Sequence, residues 1–327
     1  MPSILTRKMF RCPSSRVGTF LVLLSASIGF CGLIRGGDLP LFPNVLLRLS
    51  WESSDGRNLA GWGLPVKDGR LLVGALPHWD DLAAPGPGPM NIHGIGEDRR
   101  ASRLLVPEGS GFFLARVEEG EVALASQAFL DFRSLKPGTS VQLRPEADEM
   151  DVLKASRAPV VPARFAALEI HSQEEAFLFP MLRIQLAPEA PRAKPGTPVT
   201  DDQGRLIGIV SAHLPKEPGA LHVIPMEAVE KVCSDWKNGE TTGRSWVGLQ
   251  FLEATQVPQV ARVARHSPAE AAGIRRGDII LSCGAHLIGD LQDLMVEVAL
   301  LPLGQPVEWQ LLRQQDTLSV SLTPVQK

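Results

Sequence analysis

From Asn44 onward the chain is a succession of short apolar runs bounded by Gly, Pro, Asp or Asn. The clearest are Val45–Leu49, Gly69–Ala75, Gly111–Val117, Glu121–Ala125, Thr139–Leu143, Pro180–Leu186 and Leu206–Ala212. Runs of this length with turn residues between them predict strands of a sandwich or barrel. Pro85 to Pro89 alternates proline and glycine, which predicts an exposed loop. Two stretches depart from the pattern. Pro225–Trp236 places Met226, Val229, Val232 and Cys233 near helical spacing, and Lys237-Asn238-Gly239 supplies a stop. Asp290–Leu300 repeats the helical pattern with Leu291, Leu294, Met295 and Val298. A polar connector, Asn238–Arg244, follows the first helix and marks a boundary between two domains. No repeat of the length that builds solenoids is apparent.

The first residues have another character. Arg7, Lys8, Arg11 and Arg16 precede the uncharged stretch Val17–Ile34. A basic flank ahead of an apolar run predicts an export signal or signal-anchor over residues 1–37. The run sits at the short edge of what spans a bilayer. Small residues at Ser25, Ala26 and Ser27 permit cleavage, and retention as an anchor is equally compatible. A lipid attachment at Cys31 is disfavoured by the bulk of Phe30.

Composition narrows the function. The 327 residues carry a formal net charge of −3. Without a basic excess, binding to a nucleic-acid backbone is not the expected task. Of four cysteines, Cys233 and Cys283 follow the leader and fall in different predicted domains, so a disulfide framework is not indicated. The seven histidines show no helical i, i+4 pair and there is no Cys-x-x-Cys, so no metal and no cofactor is expected. Ser211 and His213 would share a strand face roughly 7 Å apart, too far for a base to activate a hydroxyl. Glu146, Asp148, Glu149 and Asp151 form an acidic cluster that reads as a solvated loop.

The segment from Ser245 to Thr323 is the most informative. It opens with Trp246-Val247-Gly248-Leu249. It continues with Ser267-Pro268-Ala269, Gly273-Ile274 and Arg276-Gly277-Asp278-Ile279-Ile280-Leu281, then the second helix and two closing strands. This order and spacing resembles the PDZ domain of HtrA-type proteases. The resemblance implies that Trp246, Val247, Gly248 and Leu249 present backbone N–H groups to a peptide carboxylate, the peptide adding as a strand at a sheet edge. Leu291 and Met295 are the candidates to flank that groove; core packing is their alternative role.

The preceding part resembles the HtrA-type, chymotrypsin-fold protease domain. Ile184-Gln185, Gly196-Thr197-Pro198-Val199, Asp202–Val210 and His222-Val223-Ile224-Pro225 follow the family's nucleophile segment, the turn and strand after it, and the approach to the last helix. Upstream, Gly61-Trp62-Gly63-Leu64, Asp68–Leu76, Gly111–Val117 and Leu135-Lys136-Pro137-Gly138 match in the same order. Residues 77–110 and 145–180 do not align. In this register Leu76 replaces the family's histidine, Gly111 its aspartate and Pro195 its serine. Proline has neither a hydroxyl nor the N–H that the serine lends to an oxyanion hole.

The expected architecture is therefore mainly β. A degenerate trypsin-like double barrel should span 41–235, a linker 236–243 and a PDZ domain 244–325. The expected activity is non-catalytic binding of peptides or protein C-termini outside the cytoplasm, with the barrel as scaffold or as partner of active HtrA-type relatives. The resemblance leaves oligomerisation of this chain open. Two alternatives stand: a hydrolase using His78 with Asp80 or Asp81, and a barrel serving only as a spacer.

Overall fold

A computed structural model describes residues 47–52, 56–66, 70–75, 89–93, 99–105, 112–120, 128–143, 160–171, 176–191, 193–212, 215, 217–239, 242–252 and 255–326. The leader, the Glu121–Ala125 strand, Leu76, Gly111, His78, Asp80, Asp81, His213 and the acidic cluster lie outside them. No helix among the described residues is long and apolar enough to cross a membrane.

The first barrel closes six strands: β1 (Leu47–Glu52), β2 (Asn58–Val66), β3 (Leu71–Ala75), β4 (Met90–His93), β5 (Arg99–Leu105) and β6 (Phe112–Val117), in the order β1-β2-β3-β6-β5-β4. The second closes β7 (Ser140–Leu143), β8 (Val161–His171), β9 (Ala176–Leu186), β10 (Pro198–Thr200), β11 (Leu206–Val210) and β12 (Ala220–Pro225), in the order β10-β11-β12-β9-β8-β7. Closure leaves neither sheet an unpaired edge.

The apolar runs that do not alternate are those buried on both faces. Along β6, Phe113, Ala115 and Val117 fill the first barrel, while Phe112 and Leu114 point into a second core between the barrels. Along β11, Ile209 and Val210 alternate between the shared core and the second barrel, and a bulge against β10 turns Ile207 to the barrel side beside Leu206 on the shared side. Successive side chains on a strand point to opposite faces, so two cores demand a continuous apolar run. Helix α1 (Met226–Gly239) closes the shared core with Met226, Ala228, Val229, Val232 and Cys233. It continues through residues 236–239, a stretch expected as linker, because Trp236 still packs on that core.

The C-terminal module contains β13 (Ser245–Trp246), β14 (Leu249–Phe251), β15 (Val260–Val263), α2 (Pro268–Ala271), β16 (Ile279–Cys283), β17 (His286–Leu287), α3 (Leu291–Leu300), β18 (Val307–Arg313), β19 (Asp316–Leu322) and β20 (Val325–Gln326). Trp309, fully buried, centres its core with Val260, Ile280, Leu294, Leu311 and Leu322. Asp278, buried at the head of β16, accepts two bonds from the Arg313 guanidinium, each 2.8 Å, and one from the Arg275 N–H. Burial alone would raise its pKa, but these donors outweigh burial and hold it below the usual carboxylate range.

The module is seated on the second barrel. Val296 of α3 belongs to that barrel's core, and Leu300 packs against both that core and the shared core between the barrels. Glu297 accepts a bidentate pair from Arg133, Nε at 2.5 Å and Nη2 at 2.9 Å. On α1, Lys231 and Asp235 form a buried ion pair. Asp235 Oδ1 also accepts the Leu303 N–H at 2.7 Å, and Lys231 donates to the Gly243 carbonyl at 3.2 Å.

Candidate functional site: a groove between a strand edge and a helix

Leu249 pairs with Val263 across β14 and β15, and the Ala264 N–H donates to the Gly248 carbonyl at 2.8 Å. That bond makes Leu249–Val263 a non-hydrogen-bonded pair, so the N–H and C=O of Leu249 point away from β15. The Val247 carbonyl is taken by the Ala269 N–H at 3.0 Å, in the first turn of α2. In a trans peptide unit the N–H opposes the C=O. The N–H groups of Gly248 and Leu249 therefore face the opposite side of the loop from these two acceptors.

Gly248 makes the loop possible. Its φ is +81°, and a β-carbon there would lie 2.2 Å from Ser267 Cβ. Ser267 cannot retreat freely, because its hydroxyl caps α2 by accepting the Glu270 N–H at 3.1 Å.

Opposite the open edge of β14 lies α3, capped by Asp290, whose side chain accepts the Asp293 N–H. Between them is a cavity of about 680 Å³. All six residues expected at the site line it: Trp246, Val247, Gly248, Leu249, Leu291 and Met295. Met295 is 44 % exposed, so it is a wall residue rather than a core one. Leu294 and Val298 complete the helical face, and Phe251 extends the strand side. Arg244 and Ile170 also line the cavity. Leu294 and Val298 were within reach of the helical period. Ile170 was not, since it belongs to β8 of the second barrel, more than seventy positions upstream.

Residues 245–323 match the family model described as PDZ domain. The chain carries a PDZ domain. Relatives extend the likeness upstream. A putative serine protease HhoA of Synechocystis sp. is 27 % identical over 151 residues, 40 % of this chain and 38 % of that protein. A probable periplasmic serine endoprotease DegP-like of Hahella chejuensis is 27 % identical over 142 residues, 39 % of this chain and 30 % of that one. The chain thus spans about a third of the length of these relatives. Two solved structures share the fold. The HtrA-type protease AlgW with tripeptide gives a TM-score of 0.52 at 17 % identity, covering 86 % of this chain and 93 % of that one. AlgW with decapeptide gives 0.50 at 16 % identity, covering 86 % and 95 %. The trypsin-like double barrel ahead of the PDZ domain is the expected fold.

Within that double barrel, Pro195 sits in a tight turn. The Thr197 N–H donates to the Lys194 carbonyl at 3.1 Å, and Gly196 has φ +88°. Proline at the second position and a positive-φ glycine at the third make a type II turn. The Gly196 N–H donates to Val210 at 2.8 Å, tying the turn to β11. The turn meets the first barrel: a β-carbon on Gly196 would lie 3.6 Å from Ala75 Cβ and 3.5 Å from the Trp62 carbonyl. Ala75 in turn pairs with Phe112 across β3 and β6. The chain neighbours of Leu76, Gly111 and Pro195 thus come together where the barrels meet. Farther along, His222 is buried on β12, and its Nε2 lies 2.9 Å from Glu169 Oε2. Glu169 also pairs with Arg183 at 3.1 Å.

Proposed function

We propose that the protein is a non-catalytic, extracytoplasmic peptide binder whose PDZ groove takes the free C-terminus of a polypeptide. The observation that carries this reading is that Ala269 and Ala264 hold the carbonyls of Val247 and Gly248, which leaves the N–H groups of Gly248 and Leu249 on the opposite side of a loop that lines an apolar groove. A carboxylate accepts both bonds at once. The N–H of the ligand's last residue then donates to the outward C=O of Leu249, which begins strand addition along β14. Apolar side chains of the ligand lie against Leu291, Leu294 and Val298.

The barrel serves as scaffold. At Pro195 the chain offers neither a nucleophilic hydroxyl nor an N–H for an oxyanion, and proline suits the turn found there. The extracytoplasmic location rests on the basic flank and apolar run of the leader and on the periplasmic names of several relatives.

The test is fluorescence anisotropy with labelled peptides ending in an apolar residue, each as free acid and as amide. Binding of the acid, about tenfold tighter than the amide, is expected from loss of the charge-assisted bonds. Equal affinity of the two forms would refute carboxylate capture. In parallel, the chain is exposed to casein and a fluorophosphonate probe. Labelling that is lost in His78→Ala would refute the non-catalytic reading and favour the relocated hydrolase.

A further inference from the structure

The groove is not built by the PDZ domain alone. Ile170 lines the same cavity as Trp246, Leu249 and Met295, yet it is carried by β8 of the second barrel. It lies close to the β8–β9 turn, between Glu169, paired with Met181, and His171, paired with Ala176. It is half-buried and packs against the barrel core, which fixes its position. The helix across from it is fixed by the same barrel. Val296 is inserted in that core, Glu297 is clamped by Arg133, and Gln292 Nε2 lies 3.5 Å from the Leu168 carbonyl. Met295 and Ala299, on the flank of α3, therefore stand at a set distance from Ile170.

We propose that Ile170 is a specificity-determining residue of the peptide groove. The barrel wall it forms sets the size of the ligand side chain that fits between β8 and α3. The inference rests on the peptide-binding reading above and adds that the selection is made by both domains. An apolar ligand side chain touching Ile170 loses contact when the wall is cut back, and a larger one gains room. A fully buried methylene matters by about a factor of four, and one on a half-buried wall such as Ile170 by about a factor of two.

The experiment uses the full chain and free-acid nonapeptides in which each of the last four positions is varied among Ala, Val, Leu and Phe. For wild type, Ile170→Ala and Ile170→Phe, the ratio of Leu to Phe affinities is read at each position. At one position, Ile170→Ala should move the ratio about fivefold toward Phe. Ile170→Phe should move it the other way. Ile170→Val, a smaller change on the same strand, should move it about twofold toward Phe and carries the test if the alanine variant unfolds. Leu168→Ala, which leaves its carbonyl in place and whose side chain packs against the barrel core outside the groove lining, should leave every ratio unchanged. Unaltered ratios in the Ile170 variants with intact wild-type binding would overturn this inference alone. So would an equal shift in Leu168→Ala, since the effect would then be a softened barrel. A wild-type chain that binds none of the peptides would overturn the groove reading as well.

Discussion

Arg133 and Glu297 hold the PDZ helix to the barrel, and cutting the pair from either side should not cost the same. Arg133 is shared by three carboxylates. Glu297 takes its Nε and Nη2, Asp131 lies 3.1 Å from Nη1, and Glu227 lies 4.0 Å from the same atom. The Glu297 side chain is 9 % exposed and that of Arg133 is 23 %. Glu297→Ala leaves a partly hydrated cation that keeps Asp131 and Glu227, so the expected loss is about 1–2 kcal/mol. Arg133→Ala leaves a buried carboxylate without its cation and two more carboxylates repelling it, so the expected loss is about 3–5 kcal/mol. The double variant removes the stranded charge and should be more stable than Arg133→Ala by about 1–2 kcal/mol. Urea unfolding at pH 8 reads the four proteins by tryptophan fluorescence, with Trp51 and Trp62 in the first barrel and Trp309 in the PDZ core as buried reporters. If Glu297→Ala costs as much as Arg133→Ala, or if the two losses simply add, the picture of one cation serving three anions is wrong.

Gly248→Ala should lose about 2–3 kcal/mol, from the left-handed backbone and the displaced Ser267 cap, and should abolish peptide binding; an unchanged melting temperature would contradict the contact with Ser267. Burial raises the Glu227 pKa from 4.5 to about 7, with the Asp131 charge pushing the same way. Because the folded state holds a proton the unfolded state has released, this contribution is complete below about pH 4.5 and lost as pH rises through about 7. Glu227→Gln should therefore flatten that slope and exceed wild type at pH 8 by about 2 kcal/mol, read from melting curves at a series of pH values. Burial pushes the Cys283 thiol up to about 12, with the Glu297 charge adding to it, and Cys233 is also buried. Neither should be alkylated by iodoacetamide in the native protein at pH 8, and both should be in urea, as peptide mapping would report; prompt native labelling of Cys283 would refute that environment.

Much of this architecture can be read from residues in order. The PDZ loop and its helix are local: Trp246–Leu249 is continuous, and Leu291 and Met295 are one helical turn apart, so spacing alone brings out both. The two-core strands β3, β6 and β11 announce themselves as unbroken apolar runs. By contrast, β5 begins Arg-Arg and alternates weakly, and β8 carries Pro162, Arg164 and Glu169 among its apolar positions, so neither stands out as a strand. The length of α1 was obscured because Lys237-Asn238-Gly239 looks like a stop, yet the helix runs to Gly239. Ile170 illustrates the limit. Its place in the groove follows from how α3 lies on the second barrel, and nothing in the residues around it points to a ligand.

Helix α3 answers to two masters. Its one side meets whatever enters the groove, and its other side is part of the hydrophobic interior of a neighbouring domain. A substitution that re-tunes recognition from within this helix must also suit the barrel beneath it. Diversification of ligand choice should accordingly be easier through the strand and loop that face the helix than through the helix itself.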